Sequence, residues 1–447
     1  MLSVYQHWDP LEVCAVGRSY PPEFYSFIEN PKVRSVMERI AIETEEDYQK
    51  LIKLLESFNV TVVRTDISDN IGDHMWMDRY IQPPMTPRDH SIMMGNTFFM
   101  PGDNYGSNWV TFWPSFTPDD YPDYYYELDI LLDVNSTKTE KERAFSEIRK
   151  KIDNYAPHIQ KDFISEIKAI MRSISHDPLT TFPNNKKFDT FKSIREYVQS
   201  FGNKIVTDMY VNGSCTTRIG KDIYHATMAP AGTGLLKDFP NYVSSVHAEL
   251  NRGDYRSHIV NVNTHSDAVF TPVKPGLIIS LVNAPSFEKT FPGWEVVYLP
   301  EQSWDKIPEF KELRKKNSGK WWVPGEELND DFTDFVETWL KDWVLYVEET
   351  VFDVNMLVIN PTNVIVNNYN KDVFDAFERH GITPHILNFR HRYFWDGGLH
   401  CITSDLSRKG TIQDYFPERQ PPPPPPTISE ELRQKMMQVS TSIINRK

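Results

Sequence analysis

Residues 395–405 read Trp395-Asp396-Gly397-Gly398-Leu399-His400-Cys401-Ile402-Thr403-Ser404-Asp405. A cysteine follows a glycine pair and a histidine, in a stretch otherwise patterned as a buried strand. Glycine lets a backbone and a flat polar ligand approach closely. A thiolate is the strongest nucleophile among side chains near neutral pH. Cys401 is therefore a candidate catalytic residue. Working outward from it, short apolar runs of strand character recur at 13–16, 60–63, 91–100, 205–210, 258–262, 276–282, 295–299, 356–359, 363–366 and 386–389. Helical patterns alternate with them at 46–58, 241–250, 332–343 and 371–380. This alternation places the chain in the α/β class. No GxGxxG or GxxxxGKS is present, so nothing favours nucleotide binding.

The 447 residues have room for two or three average domains or one large one. Apolar residues make up 40% and tryptophan alone contributes 11, enough for a sizeable core. A net charge of −14 counts against nucleic acid or an anionic membrane as the main partner and suits a cationic small molecule. The cysteines Cys14, Cys215 and Cys401 are odd in number and far apart, so neither a disulfide framework nor a CxxC metal pair is expected. The opening MLSVYQHWDPLEV lacks the charged and apolar regions of a signal peptide, and no run of 18 apolar residues exists. A reducing, cytoplasmic setting is the expectation.

The division expected is a single catalytic domain over 1–418 and a tail over 419–447. Within the domain, 129–200 reads as a mostly helical, charged insertion, and 301–329 as a second polar excursion containing Lys320-Trp321-Trp322. The tail carries the prolines 421–426, read as a stiff strut rather than an SH3-type ligand, then an amphipathic helical pattern over 428–445.

Four segments carry polar residues in strand-like or glycine-bearing contexts. Asp89 follows Pro87-Arg88 at a strand entrance. Asn212-Gly213-Ser214-Cys215 opens a polar segment running between strands to Tyr224. His265-Ser266-Asp267 sets a histidine and an aspartate two apart, on one face if extended. Cys401 is the fourth. Singly, each has a structural explanation: a turn aspartate, a hydrogen-bonded His–Asp pair, a buried thiol that is only a small hydrophobe. Together they supply one nucleophile, one imidazole and two carboxylates, which is what chemistry on a guanidinium requires. Paired carboxylates bind that planar cation bidentately, keep it protonated and localise charge on its central carbon. A thiolate can then attack, and an imidazole can protonate the leaving amine.

The order and spacing of these segments resemble the glycine amidinotransferase (arginine:glycine amidinotransferase) family, in the guanidino-group-modifying or pentein superfamily. The resemblance spans nearly the whole chain. It rests on Trp8-Asp9-Pro10-Leu11-Glu12 through Val16-Gly17-Arg18, on Pro87-Arg88-Asp89 followed by Gly95-Asn96, and on Arg218-Ile219-Gly220-Lys221-Asp222-Ile223-Tyr224. It continues through His265-Ser266-Asp267-Ala268-Val269-Phe270 with Pro275-Gly276, and through Gly397-Gly398-Leu399-His400-Cys401 with Asp405 to Thr411. It implies a five-bladed α/β propeller of ββαβ repeats around a pseudo-fivefold axis. By position it implies Cys401 as nucleophile, His265 as general acid/base, and Asp89 and Asp267 as the carboxylates that hold the guanidinium.

Two departures stand out. Asn212 occupies the position of the aspartate that partners the catalytic histidine; Asp208 and Asp222 are carboxylates near enough in sequence to replace it. The arginine that binds a substrate carboxylate after the Pro-Gly motif has no counterpart in Ser280-Leu281-Val282-Asn283-Ala284-Pro285-Ser286. The activity implied is ping-pong amidino transfer from a guanidino donor, arginine being expected, to an amine acceptor through an amidino-cysteine. A guanidino-group hydrolase on the same scaffold and a non-catalytic guanidine-binding homologue are the alternatives. No cofactor is needed, the thirteen histidines show no HxH or HExxH metal spacing, and a homodimer is compatible with the resemblance.

Overall fold

One local pattern organises the chain in the computed structural model: an antiparallel strand pair, a helix, and a third strand parallel to the second. The structure describes residues 1–70, 74–76, 79–80, 82–100, 127, 130, 136–152, 188–207, 211–227, 243–250, 253–262, 265–281, 287–299, 321–340, 343–344, 354–395 and 397–419.

In chain order the strands are β1 (Leu11–Val16), β2 (Thr61–Arg64), the short ribbon of β3 (Met75–Trp76) and β4 (Arg79–Tyr80), β5 (Ile92–Met94), β6 (Thr97–Phe99) and β7 (Lys204–Val206). They continue with β8 (Thr216–Ile219), β9 (Asp222–Thr227), β10 (Arg256–Asn261), β11 (Phe270–Lys274), β12 (Leu277–Ser280) and β13 (Glu295–Tyr298). β14 (Leu357–Asn360), β15 (Asn363–Val366), β16 (Thr383–Ile386) and β17 (Thr403–Arg408) complete the set. Among the described residues these make five three-stranded sheets, ordered β5-β6-β7, β8-β9-β10, β11-β12-β13, β14-β15-β16 and β17-β1-β2. The first strand of each is antiparallel to the second, and the third is parallel to it. A parallel third strand demands a crossover. The helices Pro31–Ser57, Lys192–Ser200, 243–249, Phe287–Thr290 and Lys371–Arg379 occupy the five crossovers. Four units are contiguous; the fifth joins the C-terminal strand β17 to β1 and β2, so the two chain ends share one sheet. This is the pentein architecture.

Burial grades across each sheet. The first strands β5, β8 and β17 are buried at every position, whereas the third strands β2, β13 and β16 have no fully buried residue. That gradient explains where sequence reading was clear. The 91–100 run, expected as one strand, is the β5–β6 hairpin turning at Gly95-Asn96. The polar segment from Asn212 to Tyr224, expected to lie between strands, contains the hairpin β8–β9. Its turn needs Gly220, at φ +61, with the Gln413 carbonyl oxygen 2.1 Å from where a Cβ would sit. β17 reads Thr-Ser-Asp-Leu-Ser-Arg and carries no apolar alternation, because its polar side chains are satisfied by partners inside the protein. The strand expected at 386–389 ends at Ile386 instead, spanning Thr383–Ile386.

Of the segment expected as an insertion, the helix Lys192–Ser200 is the crossover of the β5-β6-β7 unit, burying Ile194 and Val198 against Leu406 and Met93. Helix Lys138–Ile152 opens on a capping box between Thr137 and Glu140. The remainder at 153–187, the excursion at 301–320 and the tail 420–447 lie outside the described residues. Among the described residues, no helix is long and apolar enough to cross a membrane, and no group of three His, Cys, Asp or Glu side chains could hold a metal ion.

Beneath the inner strands lies a buried ionic hub. Both carboxylate oxygens of Asp405 on β17 accept from Arg218 Nη2, at 2.8 and 2.9 Å; Asp405 also accepts from Arg408 Nε at 2.8 Å and pairs with Arg88 at 2.9 Å. Burial alone would raise this carboxyl, but Arg218, Arg88 and Arg408 outweigh it and hold its pKa well below the usual carboxylate range. Three guanidinium groups depend on one carboxylate, so Asp405→Asn should destabilise the fold by about 3–5 kcal/mol, the cost of breaking a buried pair. A urea midpoint unchanged from the parent would refute this role.

Acid sensitivity follows from buried histidines. Burial, with His247 nearby, lowers His225 to about 3, and burial with His258 lowers His247 to about 4. Burial, then Arg218 for His7 and Arg88 for His400, pushes those two well below the ordinary range as well. The unfolded chain binds protons at these sites below about pH 6.5 while the native state does not. Their stabilising contribution is thus whole above about pH 6.5 and declines as pH falls toward 4 and 3. Urea midpoints should begin to drop near pH 6.5, well before carboxylates titrate; a flat profile down to about pH 5 would contradict this.

Candidate functional site

Each of the five sheet units contributes polar side chains at one place, two to five residues before its first strand. Asp89, in the helical turn Pro87–His90, precedes β5. Asn212 and Ser214 precede β8, and His265 and Asp267 precede β11. Asn355 precedes β14, and Cys401 precedes β17 in a turn rather than in the strand. The shared topology brings these entrances together, although more than three hundred residues separate Asp89 from Cys401.

Direct contacts link all five. Cys401 Sγ lies 3.6 Å from Asp267 Oδ2 and 3.0 Å from Asn355 Nδ2. The Asp267 backbone N–H donates to the Ser214 carbonyl at 3.2 Å, and Ser214 Oγ donates to Asp89 Oδ1 at 2.5 Å. His265 Nδ1 stands 3.9 Å from Asp89 Oδ1, and its Nε2 lies 3.2 Å from Asn212 Nδ2. Every candidate from the sequence is therefore in one cluster. Cys401 is 1% exposed, Asp267 4% and His265 9%, while Asp89 keeps 18% of its side chain accessible. The His-x-Asp pair does not share an extended face. Asp267 lies in the 3-10 turn Ser266–Ala268, which turns it toward Cys401 while His265 faces Asn212 and Asp89.

The amide of Asn212 has a defined orientation. Its Oδ1 accepts from the backbone N–H groups of Ser214 at 2.8 Å and Cys215 at 3.3 Å, so Nδ2 is the atom that meets His265. An amide nitrogen only donates. His265 Nε2 must then accept, which places the ring proton on Nδ1, toward Asp89. Asn212 thus holds the neutral imidazole. Neither sequence substitute for an aspartate changes this: Asp222 is engaged by Arg256, His258 and Arg419, each at 2.6 Å, and Asp208 lies outside the described residues. Val282 to Ser286, in the stretch with no counterpart to the arginine that binds a substrate carboxylate, lies outside them too.

Asp267 has a second partner, which sequence reading passed over. His400 Nδ1 is 2.7 Å from Asp267 Oδ2. Burial and Arg88 keep His400 neutral, so this is a neutral N–H donated to a carboxylate. Arg88, quoted only as a motif neighbour of Asp89, has a role of its own. Its Nε donates to the His400 carbonyl at 2.8 Å and the Thr403 carbonyl at 2.9 Å, clamping the turn that carries Cys401 to the ionic hub. Asn355 was also missed; its surroundings of ordinary strand residues gave no chemical signal. The signal available was positional, since it precedes the first strand of its unit as the other site residues precede theirs. The glycine pair also serves another purpose than ligand approach. A Cβ at Gly398 would lie 2.6 Å from Asn355 Oδ1, and one at Gly397 would lie 2.9 Å from Thr86.

The remaining thiols are placed differently. Cys14 is buried in β1, where burial and then Asp405 push its thiol up to about 12. Cys215 is buried beside Asn212, to which its backbone N–H donates.

Comparison with known proteins bears on the fold and on part of the sequence. No protein-family model matches the chain. It is 28% identical over 172 residues to the mitochondrial glycine amidinotransferase of Xenopus laevis, covering 36% of this chain and 32% of that protein. It is 22% identical over 168 residues to the L-arginine:L-lysine amidinotransferase of Pseudomonas savastanoi pv. phaseolicola, covering 36% and 37%. The chain thus matches about a third of the length of these curated relatives. Among solved structures it is similar to an amidinotransferase from Microseira wollei in the saxitoxin biosynthetic pathway, with a TM-score of 0.51 and 15% identity over 93% of this chain and 99% of that one. That likeness concerns the fold.

Proposed function

We propose that this pentein-fold relative of the amidinotransferases moves an amidino group from a guanidino donor to an amine acceptor through an amidino-Cys401 intermediate. The observation that carries the reading is the meeting of one thiol, one imidazole and two carboxylates at the entrances of the three strands β5, β11 and β17. Arginine is the donor we expect, and a primary amine the acceptor.

In this reading Asp89 and Asp267 grip the donor guanidinium, with the His400 N–H fixing the second carboxylate. The Cys401 thiolate attacks the central carbon and a C–S bond forms. The C–N bond to the departing amine then breaks; its electron pair goes to nitrogen, which takes a proton from His265. The acceptor amine next attacks the amidino carbon, gives a proton back to His265, and expels the thiolate as the C–S bond breaks. Asn212 burdens both proton transfers. An imidazolium carries protons on both nitrogens, and the Asn212 NH2 group faces the one that would have to gain a proton. The chemistry calls on no cofactor.

Intact-protein mass spectrometry after incubation with arginine, followed by a panel of amines, tests the proposal. A gain of one amidino group, discharged by an amine with formation of a new guanidino compound, is the expected result. Citrulline or urea with no transfer product would overturn transfer in favour of hydrolysis. A ligand-induced rise in melting temperature with neither adduct nor product would leave a guanidine-binding protein.

A further inference from the structure

We infer that Asn355 favours the reactive, anionic form of the Cys401 sulfur by donating a hydrogen bond to it. The inference rests on Cys401 being the nucleophile, as proposed above. Three contacts define the amide. Asn355 Oδ1 accepts from the backbone N–H groups of His400 at 2.9 Å and Cys401 at 3.3 Å, which leaves Nδ2 as the atom 3.0 Å from Sγ. The donor cannot be exchanged for the acceptor without breaking both backbone bonds. A thiol sulfur is a weak acceptor, whereas a thiolate gains a charge-assisted bond, so a fixed N–H favours the ionised form. At 1% exposure no bulk water competes with that bond.

The surroundings hold the donor still. The Asn367 amide donates to the Asn355 carbonyl at 3.3 Å, and Thr271 Oγ1 donates to the neighbouring Val354 carbonyl at 2.5 Å. Gly398 supplies the space, since any Cβ there would meet Asn355 Oδ1 at 2.6 Å. One side chain therefore sets both the turn before β17 and the state of its sulfur. It also balances Asp267, the carboxylate 3.6 Å from Sγ on the other contact, whose charge disfavours a thiolate until a cationic substrate lies against it.

The test is the pH dependence of Cys401 alkylation by iodoacetamide in the full chain, read by peptide mass spectrometry that separates Cys401 from Cys14 and Cys215. Asn355→Asp keeps an acceptor for the two backbone amides and removes the donor; Asn355→Ala removes both without adding charge. Melting curves show whether each folds. Near pH 7 both variants should alkylate roughly tenfold more slowly than the parent, recovering at higher pH, which corresponds to about one unit of thiol pKa. Profiles that superimpose on the parent would overturn the inference. Should the parent still form the amidino adduct from arginine while the profiles superimpose, the role of Asn355 falls and the proposed function stands. Shifted profiles without any adduct would leave the thiolate contact standing and remove the function.

Discussion

Asn212→Asp should raise turnover by ten-fold or more, toward the ~10⁴-fold ceiling set by the reverse change in serine-protease triads. The argument is stereochemical. An aspartate at 212 can keep one oxygen on the Ser214 and Cys215 backbone N–H groups, which now bind Asn212 Oδ1. Its second oxygen then replaces the amide nitrogen now 3.2 Å from His265 Nε2, turning a donor into an acceptor. The ring can carry a proton on both nitrogens, and Nδ1 can cycle its proton between leaving and entering amines. A cysteine nucleophile needs this help less than a serine does, so a gain at the lower end is still a full success. The measurement is kcat against pH for parent and variant with the same donor and amine. A variant no faster than the parent, with a superimposable pH profile, would show that His265 does not move the proton.

Cys401→Ala should abolish turnover, by a factor on the order of 10⁶, as loss of a nucleophile does in subtilisin. No amidino adduct should form with arginine, whereas the parent gains one. The substitution leaves the turn intact, because Asn355 Oδ1 still binds the His400 and Cys401 backbone N–H groups and Arg88 still binds the His400 carbonyl. The melting temperature should therefore change little, which separates lost chemistry from lost structure. Activity retained in the alanine variant would remove Cys401 from the mechanism. Adduct formation at Cys215 instead would move the nucleophile to the segment beside Asn212.

Much of the fold is legible in the sequence. Alternating apolar runs and helical patterns mark the α/β class because the middle strands β1, β12 and β15 bury continuous aliphatic stretches. Five motifs in order pointed to the pentein superfamily and to Cys401, His265, Asp89, Asp267 and Asn212. The polar inner strands were not legible as strands. β8 and β17 satisfy their side chains through partners distant in sequence, among them Asp405, Arg218 and Ser91, and periodicity carries no trace of such pairings.

By itself the sequence determined the chemical inventory: a thiol among glycines, an imidazole, two carboxylates, and an asparagine where a third carboxylate was expected. It also determined the alternation from which the five units are built. Only the tertiary structure decided which atoms meet. It turned the Asn212 nitrogen toward His265, gave Asp267 to His400, set Arg88 and Arg218 on one buried carboxylate, and brought Asn355 to the sulfur. The physical reason is that a side chain's hydrogen-bonding capacity is written in its type, whereas its orientation is fixed by backbone amides contributed from elsewhere in the fold.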